Sequence, residues 1–237
     1  MDVDAYLDRI AYGGPRTATF ETLLGLHRAH LHSVPFENLD IHCGRQILLD
    51  PDLLYDKIVR RRRGGFCYEL NGLFAGLLAE LGFRVTLLSA GVARDAGGFG
   101  PEFDHLLLRV ELEEPWLADV GFGESFDPVP FCDSGAGPYR IARDGPAFVL
   151  YREQLPRYRF TLQPRTLSEF SGMCHYHQTS PESSFTRGRL ISRATDDGRV
   201  TLTDTRLIIT RGKEREEHPL SGRDEFGVLC ERYFQIS

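Results

Sequence analysis

Cys67, His105 and Asp119 are the side chains whose types and settings could do covalent chemistry in this chain. Cys67 follows Arg60-Arg61-Arg62-Arg63-Gly64-Gly65-Phe66. It opens a run in which Cys67, Leu70, Phe74, Leu77, Leu78 and Leu81 recur at the spacing of one helical face. The spacing predicts a helix ending at Gly82, with Cys67 in its first turn and facing inward. Exposed N–H groups and the helix dipole at that end favour a thiolate over a thiol, and the two glycines allow a sharp turn and close approach. A buried structural cysteine would show the same local pattern, so its partners decide. His105 starts a strand, and Asp119 lies in the next one among Leu117, Ala118, Val120 and Phe122. A carboxylate in so apolar a segment is costly to bury unless paired, and the imidazole of His105 is the natural partner. A buried Asp accepting from one ring nitrogen would hold the other toward Cys67. A free thiol ionises near pH ~8.5, and an adjacent imidazolium lowers that by several units. Attack on a thioester or ester carbonyl then becomes feasible, with the histidine managing the acceptor's proton. Whether positions 105 and 119 share a face depends on a strand register that the pattern leaves open.

Cys174-His175-Tyr176-His177 offers a rival chemistry, since Cys and His are good zinc ligands. Ligands this crowded, without a second Cys/His pair, make a poor tetrahedral set. No GxxxxGK[ST] phosphate loop occurs, and Gly121-Phe122-Gly123 alone does not indicate a nucleotide fold.

The elements that must position these groups fall into three stretches. Residues 1–85 read as mostly helical. Asp2 to Ile10 forms a short helix stopped by Gly13-Gly14-Pro15, and Phe20, Leu23, Leu24, Leu26, His27 and Leu31 follow helical spacing. The chain leaves the helix at Val34-Pro35, and Asp50-Pro51-Asp52 starts another helix lined by Leu53, Leu54, Ile58 and Val59. Residues 86–172 turn to short strands. The run from His105 to Leu112 alternates, Trp116 to Val120 follows after a tight turn, and Tyr139–Ala142, Ala147–Tyr151 and Tyr158–Leu162 come later. This spacing suggests a small sandwich or barrel. Residues 173–237 add strands at Val200–Thr203 and Thr205–Thr210, an exposed edge at Glu214–Glu217 and a closing helix over Asp224–Phe234.

The bulk figures bound the function. The 237 residues are 41% hydrophobic and 26% charged with a net charge of −6, an ordinary globular balance that argues against nonspecific nucleic-acid binding. Arg60 to Arg63 is the one dense basic patch and reads as a solvated or ion-paired helix end. No window approaches a membrane span, and the acidic N-terminus lacks an apolar signal core. Cys43, Cys67, Cys132, Cys174 and Cys230 are odd in number and widely spaced, which predicts free thiols in a reducing cytoplasm.

Several segments together resemble the arylamine N-acetyltransferases: Val34-Pro35-Phe36-Glu37-Asn38-Leu39-Asp40, Arg62-Arg63-Gly64-Gly65-Phe66-Cys67-Tyr68-Glu69-Leu70-Asn71, His105-Leu106-Leu107-Leu108, Trp116 to Gly123, and Tyr176 to Phe185. The resemblance runs nearly end to end. It implies an α+β fold with an N-terminal helical bundle, a central β-barrel and a C-terminal α/β lid around a cysteine-protease-like Cys-His-Asp core. It implies a triad of Cys67, His105 and Asp119. It also implies acetyl-CoA, or another acyl thioester, as co-substrate with no bound cofactor or metal, a ping-pong cycle, and an aromatic amine or hydrazine acceptor. The partners would be small molecules, without nucleic acid or membrane, for a monomer or a homo-oligomer. By the same likeness Glu37 and Arg63 pair, Asn71 supports the triad acid, and Gly121, Phe122 and Gly123 line an acyl/CoA pocket. Two departures stand out: Glu124 where the family often has glycine, and a short hairpin at Tyr151–Pro156. They raise an alternative, an amide synthase of the ansamycin type that joins an aromatic amine to a polyketide acyl thioester with macrolactam-forming chain release. Two readings without CoA chemistry also remain: a thiol hydrolase or transglutaminase-like enzyme, and a binding protein on the same scaffold.

Overall fold

The computed structural model describes residues 1–124, 126–131 and 137–236, so Cys132 lies outside the described residues. The first stretch is helical: α1 (Val3–Arg9), α2 (Phe20–Ser33), α3 (Leu39–His42), α4 (Pro51–Tyr55) running into a π-helical turn over Asp56–Arg60, and α5 (Cys67–Glu80). Asp2, Thr19 and Asp50 accept first-turn N–H groups of α1, α2 and α4, the expected N-cap chemistry. Phe66 precedes α5 and cannot cap it. The Glu69 carboxylate turns back instead and accepts the Phe66 N–H at 3.1 Å. Leu54, Ile58 and Val59 are buried, whereas Leu53 is 51% exposed. Successive helical residues point about 100° apart, so only one of two adjacent leucines can face the core.

Phe36–Glu37 is a two-residue strand, β1. The middle of the chain forms β2 (Arg84–Val92), β3 (His105–Glu111), β4 (Pro115–Ala118), β5 (Val129–Pro130), β6 (Tyr139–Asp144), β7 (Ala147–Arg152) and β8 (Leu155–Phe160). They make one antiparallel sheet in the order β5-β4-β3-β2-β8-β7-β6, whose end strands β5 and β6 approach each other to give a nearly closed barrel. The β7–β8 hairpin is as short as the sequence suggests, with Leu155 directly opposite Arg152.

Alternation along β3 divides two cores. Leu106, Leu108 and Val110 pack with the helices, on Phe74, Leu77 and Leu78 of α5 among others. Leu107 points the other way, into the barrel interior with Leu117, Val129, Ile141, Leu150, Tyr158 and Phe160.

After the barrel come α6 (Ser171–Thr179), then β9 (Leu190–Thr195), β10 (Gly198–Thr203), β11 (Arg206–Arg211), β12 (Glu214–Pro219) and α7 (Arg223–Phe234). These strands form a second sheet, β1-β9-β10-β11-β12, covered by Phe226 and Phe234 of α7. β12 is the exposed edge that its charges predict. β1 is a contribution the sequence did not announce: Phe36 pairs opposite Ser192, so the first stretch supplies an edge strand to the last. Asn38 fastens the same junction. Its amide donates to the Phe185 and Gly188 carbonyls at 2.9 and 2.8 Å and accepts the Leu190 N–H at 2.7 Å. The fold is α+β, with the helical bundle, barrel and α/β lid that were expected.

Candidate active site

Cys67 is the first residue of α5 and is buried. The backbone N–H of Leu106 acts on its thiol, which places the sulfur near the first residues of β3. His105 is the first residue of that strand, and its Nε2 donates to Asp119 Oδ2 at 2.6 Å. The β3–β4 register sets Leu108 opposite Ala118. Asp119, one residue on, therefore falls on the same face as Leu107 and His105, which settles the register question in favour of the pair.

The Asp119 carboxylate is fully buried and fully used. Oδ1 accepts Asn71 Nδ2 at 2.8 Å and the Gly121 N–H at 3.0 Å, and Oδ2 accepts His105 together with the Tyr158 hydroxyl at 3.1 Å. Burial alone would raise its pKa, but the His105 ring and these donors hold it below the usual carboxylate range. Asn71 ties three segments together: besides Asp119 it donates to the Leu106 carbonyl at 2.7 Å and accepts the Val120 N–H at 2.9 Å.

Burial pushes the Cys67 thiol well above its ordinary range, against the Leu106 N–H, which lowers it. The first turn of α5 is closed in by β3 and by the loop after β4, and burial there disfavours the charged form. An ion formed here requires its proton to stay close by.

Glu69 and Lys57 secure the floor of α5. Lys57 Nζ lies 2.8 Å from both Glu69 Oε1 and Asp40 Oδ2, while Arg63 Nη2 lies 2.8 Å from Glu37 Oε1 and 3.2 Å from Asp40 Oδ1. The Glu37–Arg63 pair implied by the family likeness is thus present, inside a larger buried cluster. Burial, with Glu37 adding to it against the attraction of Lys57, pushes Glu69 up to about 7.

A family profile described as N-acetyltransferase matches residues 19–237. The chain belongs to the arylamine N-acetyltransferase family. A pineal gland isozyme of arylamine N-acetyltransferase from Gallus gallus is 35% identical over 239 residues, 87% of this chain and 82% of that one. Arylamine N-acetyltransferase 1 of Homo sapiens is 32% identical, covering 100% and 94% of the two chains. Among solved structures, the M. tuberculosis arylamine N-acetyltransferase superposes with a TM-score of 0.91 at 34% identity, covering 100% of this chain and 93% of that one. The Nocardia farcinica enzyme gives 0.90 at 35%, covering 100% and 90%. By membership the protein is an acyltransferase.

In this acyltransferase the loop after β4 meets the start of α5. A Cβ on Gly121 would stand 2.8 Å from Cys67 Cα and 2.8 Å from Asn71 Nδ2, so only glycine allows the approach. The Phe122 ring lies 5.2 Å from His105 and 4.9 Å from Tyr158, edge-on to each. Gly123 takes φ +81 and, with Glu124, Tyr139, Arg152 and Arg199, lines a cavity of about 630 Å³ between barrel and lid. Glu124 pairs with Arg157 and accepts the Tyr139 hydroxyl at 2.9 Å.

The Cys174–His177 run lies in α6. Gln178 Nε2 contacts Cys174 Sγ at 3.2 Å, and His177 is held by Ser183 Oγ at 3.1 Å and Asp104 Oδ1 at 3.2 Å. Among the described residues no group of three or more His, Cys, Asp and Glu side chains is arranged to hold a metal ion. Tyr158 and Lys57 escaped the sequence reading, because each acts on a partner brought near only by the fold. His27 carried a faint signal, a histidine among leucines on an apolar face, since a buried imidazole must find a partner.

Proposed function

We propose that the protein transfers an acetyl group from acetyl-CoA to an aromatic amine or hydrazine through a thioester on Cys67, with His105 as acid–base and Asp119 as the acid that orients it. The observation that carries this reading is the 2.6 Å His105–Asp119 bond at the start of the strand whose Leu106 N–H lies near the Cys67 thiol. With Nε2 committed to Asp119, Nδ1 is the nitrogen that exchanges protons with the thiol. The Cys67 proton passes to His105 and the sulfur attacks the acyl carbon. The C–S bond to CoA then breaks, and the departing thiolate takes the proton back from His105. In the second half, the amine nitrogen attacks the Cys67 thioester, His105 receives its proton, and the Cys67 thiolate leaves as the amide forms. The Cys67 thiolate then takes the proton back from His105, which restores the pair for the next acyl group.

The family membership, the relatives named arylamine N-acetyltransferase and the apolar ring of Phe122 beside His105 support an aromatic acceptor. Gly121, Phe122 and Gly123 form the acyl-pocket wall on this reading, and the adjoining cavity of about 630 Å³ admits the donor. Cys43, Cys67, Cys174 and Cys230 are all free thiols, which suits a reducing cytoplasm. No helix among the described residues is long and apolar enough to cross a membrane. Initial velocities with acetyl-CoA and an aniline-type amine test the cycle. Parallel double-reciprocal lines are expected. Intersecting lines, or thioester hydrolysis without amide, would overturn it.

A further inference from the structure

We propose that His27 is a positioning residue for Asp119, gripping the main chain of the proposed triad's acid from α2 across the bundle–barrel boundary. The inference rests on the Cys67–His105–Asp119 reading and extends it to an element that carries none of the three.

Asp119 lies one residue past the last ladder pair of β4, in a fully buried turn. Its backbone N–H donates to His27 Nε2 at 3.1 Å, and the His27 ring is completely buried. An N–H aimed at Nε2 requires that nitrogen to be unprotonated, so the ring is neutral with its proton on Nδ1. Among the described residues Nδ1 has no hydrogen-bond partner, and the ring packs edge-on against Phe74 with centroids 6.0 Å apart. For packing alone an apolar residue would serve this position better, since it would leave no imidazole N–H unmatched. What the histidine supplies is one acceptor, reaching from the far end of its ring to the amide of Asp119. The charged and titratable groups around it are Asp119, Asp127, Arg28 and His30, and burial keeps the ring neutral among them.

The carboxylate of Asp119 is set by side chains from α5, β3 and β8, whereas its main chain is set from α2. Losing the α2 grip frees the turn to shift. A 2.6 Å charge-assisted bond to His105 weakens with small displacements. Asp119 would then stabilise the His105 imidazolium less, and the Cys67 thiolate would form less readily.

The test uses the full chain and iodoacetamide as probe, following carbamidomethylation of the Cys67 peptide by mass spectrometry from pH 5 to 9. Four variants are compared with the parent: H27M, H27N, H27Q and D119N. Gln reaches the Nε2 position with an acceptor oxygen, Asn stops short at Nδ1, and Met fills the space with no acceptor of comparable strength. H27M and H27N are expected to slow Cys67 alkylation at neutral pH by about tenfold and to move the profile to higher pH, in the direction of D119N, with H27Q recovering to within about threefold. If H27M does not fold, the Asn–Gln comparison carries the test. A D119N shift with no shift in H27M or H27N would overturn the role of His27 alone. Equal slowing in H27Q and H27N would also overturn it, by showing a packing effect. A D119N profile identical to the parent would sink the triad reading, and this inference with it.

Discussion

At the scale of single residues, the site is a set of buried polar groups that each depend on a neighbour. Asp119 with four donors on its carboxylate is the least replaceable. D119N should lower kcat by about 10³–10⁴-fold with little change in secondary structure, because the amide reverses the bond that fixes the His105 tautomer. Steady-state kinetics beside circular dichroism would check this. Tyr158 adds a second bond to the oxygen that His105 uses. Y158F should cost about 1 kcal/mol of stability in urea unfolding and change activity far less than D119N. The neutral His27 also makes a pH prediction. Its pKa falls from the ordinary 6.5 to about 4 on burial, so the unfolded chain takes up a proton that the native one refuses. That contribution is complete above pH 6.5 and is lost as pH falls toward about 4, on the order of 3 kcal/mol in all. Unfolding free energies should therefore fall less steeply across that window in H27Q than in the parent.

At the scale of elements, α5 and the loop after β4 are pressed together, and glycine makes the contact possible. G121A would place a methyl against the Cys67 backbone and should cost about 1–3 kcal/mol by overpacking, with most of the activity lost because the proposed nucleophile is displaced. Thermal melts and kinetics on one sample would separate the two effects. Under α5, K57M would leave Asp40 and Glu69 buried without their shared cation and should cost about 3–5 kcal/mol. Much at this scale was legible in the sequence. α5 shows itself through apolar residues at helical spacing after two glycines, β3 through its alternation, and α4 through Asp50-Pro51. What stayed hidden has one common cause: long-range pairing. Two-residue β1 has no pattern of its own, and its partner β9 comes some 150 residues later. Nothing local shows that Arg157 and Tyr139 will occupy Glu124. The thiol's upward shift depends on how completely β3 and Gly121 close over α5, which only the assembled fold reveals.

At the scale of the whole molecule, the proposed active site lies where the bundle meets the barrel, and the lid is fastened near it through the segment that follows α2. β1 and the three side-chain hydrogen bonds of Asn38 to Phe185, Gly188 and Leu190 make that fastening. N38A should leave the Phe185 and Gly188 carbonyls and the Leu190 N–H without this partner, costing about 2–4 kcal/mol and making the chain after α6 the first to open under native-state proteolysis. The central claim for the molecule is that Cys67 carries the acyl group between donor and acceptor. Intact-protein mass spectrometry after mixing with acetyl-CoA alone tests it most directly. The account predicts one acetyl group, mapped to Cys67, that disappears on adding an aromatic amine as the N-acetyl amine appears, and that does not form in C67S. An unmodified protein that still makes amide, or an acetyl group on another residue that turns over at the rate of catalysis, would contradict it.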